Sequence, residues 1–163
     1  MRAGELPHIT SEILTRLRAR RPRVHCITNA VAQHFTANVL LAAGAIPSMT
    51  ISADEIGAFV ARADALLVNL GTFDAERREA AATAIEVAAE EGVPWVLDPV
   101  FIDRSEPRAA HARSLVGQKP RAIRLNRAEF AAQSLWGAGP LRAGLRGIRQ
   151  PIEPDPGHAG GGS

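Results

Sequence analysis

The sequence holds a single cysteine, Cys26, which excludes an internal disulfide and any CxxC metal site. Lysine is almost missing: among 19 basic residues only Lys119 is not arginine, set against 17 acidic residues. With alanine so abundant, this usage reads as coding bias. A nucleic-acid partner is not expected, because both signs of charge are mixed along the chain. The one basic cluster, Arg16, Arg18, Arg20, Arg21 and Arg23, has no interleaved aromatic residue. It reads as a solvated helix end, where cations oppose the negative end of the dipole. No apolar stretch approaches a membrane span, and the amino terminus lacks the basic and apolar blocks of a secretory signal. A cytoplasmic location with no membrane partner is therefore expected. Neither a GxGxxG nor a Walker A pattern occurs, which sets aside the dinucleotide and P-loop classes. The histidines His8, His25, His34, His111 and His158 show no metal-ligand spacing. Cys26 adjoins His25, but neighbours in a strand point to opposite faces, so the pair cannot readily share a proton. A buried structural thiol is expected.

What is present suits one soluble domain with a real core: 163 residues, 46% apolar and 22% charged. Thr10 or Ser11 would cap a first helix carrying Ile13, Leu14 and Leu17, ended by Pro22. A strand follows at residues 24–28. Helical spacing returns at Phe35, Val39 and Leu40, with Gly44 as its left-handed stop before a strand at residues 46–51. Ile56, Phe59 and Val60 mark a further helix, and residues 65–71 form a continuous apolar run. A long alanine-rich helix is predicted from Asp74 to Glu91, stopped by Gly92, followed by strand at residues 95–100. Residues 108–116 are helical in pattern, Lys119 and Pro120 make a turn, and residues 122–126 form a fifth strand. Strands alternating with helices predict a three-layer α/β domain with a largely parallel sheet.

In such folds ligands bind beyond the carboxyl ends of the strands. The polar or special groups at those ends are Asn29, Met49, Asn69 with Gly71, Asp98, and Asn126 with Glu129. Taken singly, Asp98 before Pro99 is a common turn start, and Asn126 with Glu129 three residues on is a common capping box. Taken together, carboxylates and amide oxygens converging on one crevice suit Mg²⁺, a hard cation that usually arrives with a nucleotide's phosphates.

Five ordered segments carry a resemblance: residues 25–29 (HCITN), 43–49 (AGAIPSM), 63–72 (ADALLVNLGT), 96–100 (VLDPV) and 123–129 (IRLNRAE). In order and spacing they resemble the hydroxyethylthiazole kinase family, over about residues 8 to 132. The resemblance implies a ribokinase-like fold that phosphorylates 4-methyl-5-(2-hydroxyethyl)thiazole with ATP and Mg²⁺ in thiamine salvage. It implies Met49 and Asn29 as the thiazole wall, Arg124 and Asn126 as ATP contacts, and Asp98 and Glu129 as the acidic groups around the metal. It also implies a homotrimer with sites between subunits.

Two departures stand out. After Val100 the family continues with small, glycine-rich residues, whereas residues 101–104 here read Phe-Ile-Asp-Arg. After Arg124 the chain places Leu125 and Arg127 where small residues are usual; Arg127 reads as a surface charge or a further phosphate contact. The resemblance also implies later strands, a glycine-rich helix start and the residue that activates the alcohol, none of which this chain matches. A ribokinase-like portion at 1–134 is expected, followed by a disordered or out-of-frame tail at 135–163. Residues 137–163 hold eight of the 14 glycines and four of the 11 prolines, too little apolar surface to offset ordering entropy. Gly137 and Gly139 echo the glycine-rich turn only superficially. The rival expectation is an inactive remnant, or a thiazole-binding module that needs a partner.

Overall fold

The computed structural model describes residues 6–131. The expected tail, with Gly137 and Gly139, lies outside the described residues.

Five strands form one sheet in the order β2-β1-β3-β4-β5: β1 (Arg23–Ile27), β2 (Ile46–Ser48), β3 (Ala65–Asn69), β4 (Trp95–Asp98) and β5 (Ala122–Ile123). Every pairing is parallel. The helices are α1 (Leu6–Arg20), α2 (Gln33–Ala43), α3 (Ile56–Val60), α4 (Ala75–Glu90), α5 (Glu106–Val116) and α6 (Arg127–Ala131), with a 3-10 turn at Ala30–Ala32. This is the expected three-layer α/β architecture.

The strand order dictates where the helices go. From β1 the chain steps one way to β2, then returns across β1 to β3 and continues to β4 and β5. Right-handed crossovers put the connection through α2 on one face and those through α3, α4 and α5 on the other. The two directions part between β1 and β3, and that is the switch point where a crevice opens at the carboxyl edge.

The face covered by α3, α4 and α5 holds the core. His25, Leu66 and Trp95 are in lateral register, as are Ile27, Val68 and Leu97. The apolar members of these rows pack with Ile56, Val60, Ala81, Ala84, Ile85, Ala109 and Ala112. Alanines on α4 and α5 let helix backbones approach the sheet closely. Asp74 caps α4, its Oδ1 accepting from the Arg77 amide at 2.7 Å. That bond, more than any other, holds the Asp74 carboxyl below its ordinary range. Gly44 (φ 98°) closes α2, and Gly92 (φ 69°) follows α4, both in the left-handed region that glycine enters without penalty.

Four boundaries differ from expectation. Thr10 and Ser11 lie inside α1, and Thr10 Oγ1 donates to the Leu6 carbonyl. The hydroxyl is satisfied within the helix, and Pro7 in the first turn needs no amide partner. The strand expected at residues 46–51 ends at Ser48. Those expected at 95–100 and 122–126 stop at Asp98 and Ile123. Pro99 has no N–H for the ladder, and Val100 and Phe101 turn away with φ of 23° and 61°.

Candidate active site

β1 delivers Asn29 just past its end, where its Oδ1 accepts from the Val31 amide and caps the 3-10 turn. The same oxygen accepts from Thr72 Oγ1 at 3.1 Å, and Thr72 Oγ1 in turn accepts from the Ala30 amide at 3.0 Å. The loops after β1 and β3 are thus tied together across the switch point. Gly71 lies between them: a Cβ there would come within 2.8 Å of Asn29 Cβ and of Asn69 Oδ1. Only glycine fits.

Asn69 and Asp98 are register partners at the ends of β3 and β4. Asn69 Nδ2 donates to Asp98 Oδ2 at 2.8 Å, and Asn69 Oδ1 accepts from the Gly71 amide at 2.9 Å. Arg124, just past β5, places Nη1 at 3.3 and 3.4 Å from Oδ1 and Oδ2 of Asp98. The carboxylate is 14% exposed and the arginine side chain 64% exposed. A mostly solvated arginine contributes little as a fixed ion pair and is available to move. Asp98 therefore does not take the turn-starting bond to its following backbone that Asp-Pro sequences often show.

Asn126 and Glu129 form the capping box. The Asn126 amide donates to Glu129 Oε2 at 2.8 Å and the Glu129 amide to Asn126 Oδ1 at 2.9 Å. Glu129 is 1% exposed, and its Oε1 accepts from the Phe101 amide at 3.0 Å. One buried carboxylate thus joins the start of α6 to the turn after β4. That turn is where Phe101 replaces the small residues expected of the family, and its left-handed φ of 61° shows why glycine suits the position. Arg127 is exposed at the start of α6. Met49 lies half-buried beyond β2, at the end of the sheet away from Asp98.

His25 and Cys26 are both buried. His25 Nε2 lies 3.1 Å from the Thr50 carbonyl, which only accepts, so Nε2 carries the proton and Nδ1 accepts from Ser48 Oγ at 2.8 Å. Burial holds the His25 pKa below its ordinary value against the raising effect of the Thr50 bond. Burial pushes the Cys26 thiol up to about 11, so it is no nucleophile at neutral pH.

Two groups escaped the sequence reading. Thr72 was legible only as the last residue of a familial segment. Arg108 on α5 donates to the carbonyls of Leu70 and Gly71 and lies over the Phe73 ring at 5.0 Å. No sequence signal links Arg108 to a turn 37 residues earlier.

Among the described residues, no group of three or more His, Cys, Asp or Glu could hold a metal by itself. One partly exposed carboxylate, Asp98, followed by a turn that the buried Glu129 holds at Phe101, suits a cation that keeps most of its waters and takes the rest of its ligands from phosphate. A Mg²⁺-nucleotide fits that donor set; an all-protein metal cage does not.

The family model for hydroxyethylthiazole kinases matches residues 14–145. A probable hydroxyethylthiazole kinase of Agrobacterium fabrum is 54% identical over 131 residues, covering 79% of this chain and 53% of that protein. The hydroxyethylthiazole kinase of Serratia proteamaculans is 47% identical over 135 residues, 83% of this chain and 49% of the relative. The solved structure of a hydroxyethylthiazole kinase protein from Pyrococcus horikoshii superposes with a TM-score of 0.72 at 39% identity, covering 74% of this chain and 48% of that one. The chain spans about half the length of the curated relatives it matches. With five familial segments meeting at one sheet edge, this chain belongs to the hydroxyethylthiazole kinase family.

Proposed function

We propose that this chain supplies the thiazole wall and the metal-facing edge of an ATP-dependent kinase acting on 4-methyl-5-(2-hydroxyethyl)thiazole in thiamine salvage. The observation that carries the reading is the hydrogen-bonded edge that runs from Asn29 through Thr72 and from Asn69 through Asp98 to Arg124. It starts at the switch point of the sheet and runs along the carboxyl ends of β3, β4 and β5, in a chain of this family. Asn29 and Met49 line the thiazole side. Asp98 meets Mg²⁺, and Glu129 supports that end by holding the turn that follows Asp98. Asn126 faces the nucleotide. When bound, the metal neutralises charge on the phosphates during transfer. Arg124 exchanges Asp98 for phosphate oxygens, a role its forked, permanently charged guanidinium suits.

Self-association into a homotrimer is part of the proposal. Val31 (90% exposed), Phe35 (73%) and Val39 (49%) form an apolar stripe along the 3-10 turn and α2, at the four-residue spacing of one helix face. A cytoplasmic location accords with this chemistry; among the described residues, no helix is long and apolar enough to cross a membrane.

The test is ADP release from Mg-ATP by the purified chain, with and without hydroxyethylthiazole, beside the Asp98→Ala variant. Thiazole-dependent release that vanishes in the variant is expected. No release from folded protein would reduce the chain to a binding module without transfer activity.

A further inference from the structure

The turn at residues 69–72 touches both ends of the candidate site, Asp98 through Asn69 and Asn29 through Thr72. Asn69 has one hydrogen-bonding orientation. Its Oδ1 accepts from the Gly71 amide, so Nδ2 faces Asp98 Oδ2. A flip would set oxygen against carboxylate and N–H against N–H. Thr72 is likewise committed, accepting from the Ala30 amide and donating to Asn29 Oδ1. Between them Gly71 has no room for a Cβ, and Arg108 grips the Leu70 and Gly71 carbonyls. The turn is therefore held by its backbone while its two polar side chains reach opposite ways.

We infer that Asn69 and Thr72 are positioning residues, Asn69 orienting the Asp98 carboxylate for the metal-nucleotide and Thr72 orienting the Asn29 amide for the thiazole. This rests on the function proposed above. The asymmetry of Asp98's partners supports it. Arg124 is largely exposed and departs when phosphate arrives, so Asn69 is the donor that still holds Asp98 during binding. Thr72 plays the same part for Asn29, whose only other side-chain bond among the described residues is to the Val31 amide two residues on.

The two roles separate experimentally. Using the full chain, Mn²⁺-ADP binding is followed by electron paramagnetic resonance and hydroxyethylthiazole binding by calorimetry. Asn69→Ala should weaken Mn²⁺-ADP by roughly tenfold or more, as loss of an outer-shell partner does, and leave thiazole affinity within about twofold. Thr72→Val should do the reverse, and Thr72→Ser should restore wild-type thiazole binding. A general loss of structure would instead weaken both ligands in both variants, and that result overturns the inference, as does full affinity for both. If the wild-type chain binds neither probe, the proposed function fails, and the positioning is decided in the ligand-free chain by three-bond couplings that report χ1. Rotamer averaging at Asp98 in Asn69→Ala and at Asn29 in Thr72→Val upholds it; unchanged couplings in both overturn it.

Discussion

On one face of the sheet, α3, α4 and α5 bury Ile56, Val60, Ala84, Ile85, Ala109 and Leu115 against Leu66, Val68 and Leu97. On the other, α1 and α2 bury no residue fully, Ile13, Phe35, Val39 and Leu41 are exposed, and Leu67 and Val96 remain half-buried. The first face is complete within the described residues. The second is apolar enough to need cover and has little. Asn69, Asp98 and Arg124 alternate onto that second side at its carboxyl edge, so the candidate site lies where packing is thinnest. Rigidity there comes from hydrogen bonds, whereas the opposite face relies on close-packed apolar volume.

Substitutions on the two faces should therefore behave differently. The largest effect is expected for Leu97→Ala on the packed face, a loss of about 2–5 kcal/mol in urea unfolding; a loss below about 1 kcal/mol would mean that this core is loose. An intermediate effect should come from pH. His25 is buried neutral on the packed side, with its pKa lowered by burial, so the unfolded chain takes up the proton first. Stability should then be full above the unfolded value of about 6.5 and fall as pH drops below it. In His25→Gln the fall should become shallower without vanishing, because burial and then Arg78 also lower the His111 pKa. An unchanged slope would remove His25 from the account. Phe101→Gly, at the joint between β4 and the site, should raise stability by up to about 1 kcal/mol by relieving a left-handed φ, read as a higher unfolding midpoint. The smallest effect on stability is expected for Phe35→Ser on the open face, within about 0.5 kcal/mol. The same change should shift sedimentation toward smaller species. A large stability loss there would show that α2 is packed after all.

How much was legible follows the same division. Continuous apolar runs marked β3 and β4, and Gly44 and Gly92 marked the end of one helix and the close of the turn after another, because these signals depend on a few adjacent residues. Strand ends after β2, β4 and β5 were overrun. Nothing local to Val100 or Phe101 announces a left-handed turn, which the Glu129 carboxylate holds from 28 residues away. Asn126 and Glu129 read correctly as a capping box, since that motif spans one helical turn. Arg108 and Thr72 were not legible as parts of the edge. Their partners are backbone atoms and a side chain brought close only by the crossovers.

By itself the sequence determined the alternation of helix and strand, the parallel α/β class, the buried Cys26 and the family, because these rest on short-range periodicity and on ordered segments. Tertiary structure decided that Asn69 faces Asp98, that Thr72 faces Asn29, that Glu129 braces the turn after β4, and that one face of the sheet is closed and the other open. Those outcomes depend on strand order and register, which set residues far apart in the chain side by side.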